Sequence, residues 1–133
     1  MNPDDYLKNA KAYFWNESFA IIKSDCLNPD AFANITDKDE ITVIIDQSKL
    51  ENNILSENEK DWKILTLDVV FPLNVVGIQA RISGVLAKRG ISLMTISAYS
   101  RDHFLIREKD MPVAIGALQL YAPVELSAIL TRK

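Results

Sequence analysis

The chain has 133 residues, 48% hydrophobic and 25% charged, the composition of one soluble globular domain or of two small ones sharing a core. Fifteen Lys and Arg stand against eighteen Asp and Glu, a net charge of -3 with no basic run, which excludes an electrostatic nucleic-acid footprint. Met1-Asn2-Pro3-Asp4-Asp5 is acidic where a secretory leader is basic, and no apolar run approaches the roughly 18 residues of a membrane span. The expectation is a cytoplasmic chain without membrane contact.

Cys26 is the only cysteine and His103 the only histidine, so one chain can build neither a disulfide framework nor a Cys/His zinc site. A Cys26/His103 nucleophilic pair stays open arithmetically, against the plainer reading of Cys26 as a free cytosolic thiol in the turn-like run Ser24 to Pro29. Four glycines form no Gly-x-Gly-x-x-Gly or phosphate-loop pattern. No metal and no cofactor is therefore indicated.

In chain order, Asn2-Pro3-Asp4-Asp5 opens like a helix running to about Phe14, with Asn as cap and Pro at the first position. Phe19 to Lys23 reads as a short strand. Phe32 to Thr36 and Ile41 to Asp46 read as a hairpin closed by the polar loop Asp37-Lys38-Asp39-Glu40. The polar stretch from Gln47 to Asp61 is the best internal boundary, so the chain divides into a helical lead at 1–16, a first unit at 17–60 and a second at 61–133.

The second unit is patterned more sharply. Trp62 to Phe71 is a strand, closed by Pro72. Asn74 caps a helix running to Arg89, whose Val75, Ile78, Ile82 and Val85 share a face, and Gly90 fits the left-handed position beyond it. Ile91 to Tyr99 and His103 to Arg107 are strands about a tight turn, and Asp110 caps a last helix with Pro112 in its first turn. Strand, helix, strand, strand, helix has few compact solutions, and the fold class they lead to is α+β, a ferredoxin-like sandwich. Its fourth strand comes from after Tyr121, from the first half, or from a second chain. The sheet's other face lies bare in this arrangement, and an interface between two copies is the economical cover.

The run from Asn74 to Ser92 resembles the first helix and second strand of an ACT domain, a small-molecule-sensing module of amino-acid metabolism. Ile96-Ser97-Ala98-Tyr99-Ser100-Arg101-Asp102-His103-Phe104 narrows this to small stand-alone bacterial ACT proteins with a Tyr-rich turn before the third strand, Arg101 standing where that family usually has a His. The resemblance covers roughly Phe19 to Tyr121. It implies a βαββαβ ACT domain at 61–133 with a C-terminal extension, and a degenerate ACT-like unit at 17–60.

The resemblance also implies a small-molecule ligand, an amino acid, held at the interface of a homodimer by the loop between first strand and first helix. The site it points to comprises Leu73, Asn74, Val75, Val76, Gly77, Ser97, Tyr99, Asp102 and His103. The chemistry suits the place: free N–H groups at a helix start receive a carboxylate, and an acid such as Asp102 receives an ammonium. Gly77 lets a backbone or ligand come close. Plainer readings stand beside these: Asn74 only caps, Gly77 only permits packing, Tyr99 only packs, and His103 fixes the turn with Asp102.

The leading function is thus a non-enzymatic regulatory or sensor protein acting through a homodimer. The alternatives are a purely structural dimerisation module and, third, an acyl-phosphate hydrolase. That last chemistry wants a cation in the first strand–helix loop, where the sequence is Phe71-Pro72-Leu73-Asn74.

Overall fold

The structure is a computed structural model and describes residues 7, 11–50, 58–68, 76–121 and 125–129. In chain order its strands are β1 (Lys11–Trp15), β2 (Phe19–Ser24), β3 (Ala33–Thr36), β4 (Ile41–Asp46) and β5 (Asn58–Leu67). Helix α1 (Ile78–Ala87), strands β6 (Leu93–Ser97) and β7 (Asp102–Arg107), helix α2 (Met111–Tyr121) and strand β8 (Glu125–Ile129) follow. They divide into two compact units, residues 17–62 in one and residues 1–16 with 63–133 in the other.

In the unit 17–62 the strands run in the order β3-β4-β2-β5. β2 and β4 are antiparallel with Ala20 opposite Ile45 and Ile22 opposite Val43. Period-two alternation puts these four on one face, where they are buried against Ala31, Ile41 and Leu50. The β3–β4 loop is closed by the Asp37 carboxylate, which accepts the amides of Asp39 at 2.8 Å and Glu40 at 2.9 Å. Those two donors hold its carboxyl below the usual carboxylate range.

The polar stretch expected as a linker to Asp61 is in part strand, since β5 begins at Asn58 and pairs Asn58 and Glu59 with Ile22 and Ile21. Ladder hydrogen bonds need no apolar side chains, so hydropathy does not register this pairing. The β2–β5 register shifts between Phe19 and Ile21. Asp61 has a left-handed φ of 67°, a conformation that Asp tolerates better than most residues. The Gln47 side chain holds it on both sides, accepting its amide at 2.9 Å and donating to its carboxylate at 3.0 Å.

The second unit is the ferredoxin-like α+β sandwich, with one addition. β7 pairs with β5 and β6, and β6–β7 is an antiparallel hairpin with Ile96 opposite His103 and Ser97 opposite Asp102. The fourth strand, β8, does come from after Tyr121, yet it does not sit beside β5. β1 occupies that place, antiparallel to β5, and β8 adds outside it in parallel. The helix expected to run to about Phe14 is therefore corrected: Leu7 is helical, Lys11–Trp15 is a strand, and residues 2–6 and 8–10 lie outside the described residues. Lys-Ala-Tyr-Phe-Trp is an aromatic run with two usable faces, which suits a strand hydrogen-bonded on both edges.

Both helices cover one face of this sheet. Ile78, Ile82 and Leu86 of α1 and Met111, Ala114 and Leu118 of α2 bury against Ala12, Leu65, Leu67, Phe104 and Ile106. The opposite face carries Tyr13, Trp15, Ile64, Thr66, His103 and Leu105 by alternation. On this face Ile64, Thr66 and Leu105 have no solvent exposure, while Tyr13 and His103 are half-buried.

Thr66 is a polar residue on that closed face. Trp15 Nε1 donates to its hydroxyl oxygen at 2.9 Å, and the hydroxyl lies 2.7 Å from His103 Nδ1. An indole only donates, so the threonine oxygen accepts there, and the same hydroxyl pairs with the His103 ring. Burial lowers the His103 pKa below its usual value, with the Asp102 carboxylate opposing the shift and Arg101 adding to it.

α1 begins at Ile78, four residues after the expected cap, because Gly77 takes φ 94° and cannot lie within the helix. Its other end is closed by Gly90 at φ 70°. The Ile91 amide donates to Leu86 O at 3.1 Å and the Gly90 amide to Ala87 O at 3.0 Å, the paired bonds of a Schellman motif. Ile91 and Leu86 are buried together, so the same turn that stops the helix anchors the approach to β6.

A methyl group at Gly90 would meet nothing within 4 Å, so Gly90→Ala should lose only the left-handed preference, about 1–2 kcal/mol. Denaturant midpoints measure it, with Gly90→Asn expected to lose less. Thr66→Val removes the hydroxyl that pairs with the Trp15 indole and the His103 ring and should cost about 1–3 kcal/mol. For His103 the folded pKa lies below the unfolded one, so its contribution is complete above about pH 6.5 and lost as pH falls through the folded value. Stability against pH should therefore drop below about 6.5 more steeply in the wild type than in His103→Gln, whose amide can donate to or accept from Thr66 and does not titrate.

Candidate functional site

The site expected at the loop before α1 can be followed from Val76 onward; Leu73, Asn74 and Val75 lie outside the described residues. Val76 is 77% exposed. Gly77 is the residue before the helix and has no side chain with which to cap it. Among the described residues the leading N–H groups of α1 therefore receive no side-chain cap, and an uncapped helix start attracts negative charge.

Ser97 and Asp102 face the helices from the ends of β6 and β7, directly opposite one another in the hairpin. The Ser97 hydroxyl donates to Asp102 Oδ1 at 3.0 Å. Gln79, in the first turn of α1, donates its side-chain amide to the same hydroxyl. Two expected residues thus meet in a hydrogen-bonded line, Gln79 to Ser97 to Asp102, and the line ties the helix start to the hairpin end. Among the described residues it leaves Gln79 Oε1 and Asp102 Oδ2 without further partners, so it presents acceptors and one negative charge.

Gln79 is absent from the sequence-based set. Its signal is weak: a polar residue directly after the buried Ile78, on the flank of the apolar stripe. Arg101 belongs to a separate pair, its Nε 3.0 Å from Asp68 Oδ1 with both side chains about two-fifths exposed. So exposed a pair adds little stability; its effect is to tie the hairpin loop to the end of β5. That loop spans Ala98 to Arg101, with the Ala98 amide donating to Arg101 O at 2.9 Å.

Two other expected residues do not join the line. Tyr99 is 85% exposed on the loop, so within one chain it does not pack either. His103 follows Asp102 along β7 and points to the opposite face, where it meets Thr66. The proposed His–Asp turn clasp is replaced by a serine–aspartate bond across the hairpin. Cys26 is exposed, and its loop is held locally by Ser24, whose hydroxyl donates to Cys26 O at 2.9 Å. Among the described residues no three His, Cys, Asp or Glu side chains gather as a metal site, and no helix is long and apolar enough to cross a membrane.

Comparison with solved structures returns the same architecture. A protein from Agrobacterium tumefaciens superposes with a TM-score of 0.78 at 18% identity, covering 94% of this chain and 97% of that one. A protein of unknown function from Vibrio cholerae gives 0.66 at 21% identity over 87% and 93%. The regulatory subunit of aspartate kinase from Thermus thermophilus gives 0.63 at 12% identity over 86% and 97%. At these identities the likeness is one of fold. No curated protein matches the chain. The ACT domain family model matches residues 57–119, from β5 through most of α2. The βαββαβ order and that match agree, and residues 57–119 are an ACT domain.

Proposed function

We propose that this chain is a non-enzymatic regulatory protein that binds an amino acid at the start of α1 and transmits the bound state through association of two copies. The observation that carries the reading is the line Gln79–Ser97–Asp102 beside an uncapped helix start. An amino acid offers the complementary pair of charges. Its carboxylate suits the leading N–H groups of α1, and its ammonium suits the free oxygen of Asp102. Ser97 holds Asp102 and Gln79 holds Ser97, so the acceptors are positioned before a ligand arrives.

The structural neighbours support the regulatory part. The Thermus thermophilus neighbour is a regulatory subunit of aspartate kinase, and Escherichia coli aspartokinase III, of which the aligned region covers 34%, was solved with aspartate and ADP. Regulation then needs a difference in affinity: a ligand shifts an equilibrium between two geometries only as far as it binds one better than the other.

Thermal melting with each of the twenty amino acids tests the proposal. A ligand at a hundredfold excess over its Kd should stabilise by about 2.7 kcal/mol. If none raises the melting temperature at millimolar concentration, the chain is an assembly module and the sensing role is lost. Asp102→Asn should weaken binding by about 1.5–3 kcal/mol, the range for a hydrogen bond to a charged group. Its fold should survive, because the amide oxygen still accepts from Ser97. Unchanged affinity in that variant removes Asp102 from the site.

A further inference from the structure

The two units differ sharply in charge. Residues 17–62 contain eleven Asp and Glu against four Lys and Arg, a net charge of -7. Residues 1–16 and 63–133 contain seven against eleven, a net charge of +4. We infer that two copies associate with the acidic unit of one against the helix layer of the other. Association as such belongs to the proposed function; the pairing of unlike surfaces is what this adds.

The helix layer has the surface for it. Neither α1 nor α2 contains an acid. Arg81, Gly84 and Lys88 step by three and four residues along the exposed side of α1, and Arg89 follows. A methyl group added at Gly84 or at Gly116 of α2 would meet nothing within 4 Å, so the layer is open. α2 adds Val113, 49% exposed, and Leu120, 80% exposed, two turns apart on one side. The result is a shallow apolar surface with a basic margin.

The unit 17–62 carries the counterpart. Its edge strand β3 exposes Ile35, and the preceding loop exposes Leu27. Asp25, Asp30, Asp39 and Glu40, all exposed, accompany them. Apolar groups with an acidic margin face apolar groups with a basic one, an arrangement that steers encounter and rejects like surfaces. Both surfaces belong to one chain, so a second copy is always available as partner.

A charge-swap experiment on the full chain decides the matter. One variant carries Lys88→Glu and Arg89→Glu; the other carries Asp39→Lys and Glu40→Lys. Asp37 is kept because it closes the loop. In light scattering at micromolar concentration the wild type should be a dimer, with a Kd rising about tenfold or more between about 50 and 500 mM salt. Each variant alone sets like charge against like and should be monomeric. An equimolar mixture restores both contacts and should be dimeric.

Lys88→Gln with Arg89→Gln keeps the helix end free of added acid, so a weakened dimer there with unchanged circular dichroism separates lost association from lost folding. A monomeric wild type, a salt-indifferent dimer, reversal variants that dimerise normally, or a mixture that stays monomeric each overturns the inference. Reversal that lowers the melting temperature of a chain already monomeric does the same. None of these four side chains belongs to the proposed ligand site, so amino-acid binding and charge pairing can fail separately.

Discussion

The second unit depends on the pairing of β1 with β5. β5 is the first strand of the βαββαβ order, yet its partner on one side is a segment from the chain's beginning, with Ala12, Tyr13 and Phe14 opposite Leu67, Thr66 and Leu65. This pairing displaces β8 by one place and supplies Ala12 to the core beneath the helices. It also delivers Trp15 to Thr66, whose hydroxyl would otherwise be buried without the indole donor. A buried hydroxyl needs partners on every side that water has left. Without β1 the domain would lack a strand of its sheet and one end of its inner hydrogen-bond line.

Two polar lines cross the same sheet and differ in burial. Trp15–Thr66–His103 is closed from solvent at its centre, so it constrains: Thr66 holds both rings in place. Gln79–Ser97–Asp102 is exposed, and each bond competes with water, so it contributes little to stability and much to orientation. The adjacent residues Asp102 and His103 therefore do unrelated things. The pleat separates them, sending one side chain toward the helices and the other to the opposite face.

How far the sequence disclosed this depends on which signal each feature used. Period-two and helical patterning placed β2, β4, α2 and the hairpin of β6 and β7 within a residue or two, and Gly90 marked the end of α1. The N-terminal strand was hidden because Asn2-Pro3-Asp4-Asp5 carries true helix-start chemistry, while Lys11–Trp15 becomes a strand only through partners 50 and more residues away. Asn58–Asp61 was hidden because a ladder on a polar strand has no hydropathy. In the site, Ser97 and Asp102 were reachable through their motif, whereas Gln79 joins them only by the docking of α1 over the hairpin.

The exposed line also sets what a ligand must do. Before binding, Ser97 satisfies one oxygen of Asp102 and Gln79 satisfies Ser97, so among the described residues the line keeps only Gln79 Oε1 and Asp102 Oδ2 open. A ligand gains only at the remaining acceptors and at the helix N–H groups. Selectivity has to come from the spacing between an acceptor pair and a helix start, which suits a small molecule with positive and negative groups one or two bonds apart and disfavours one carrying either charge alone. Gly77 matters to that spacing through its backbone: its left-handed φ sets where α1 begins, and so how far the N–H groups stand from Asp102. A longer side chain there would move the helix start before it met any ligand.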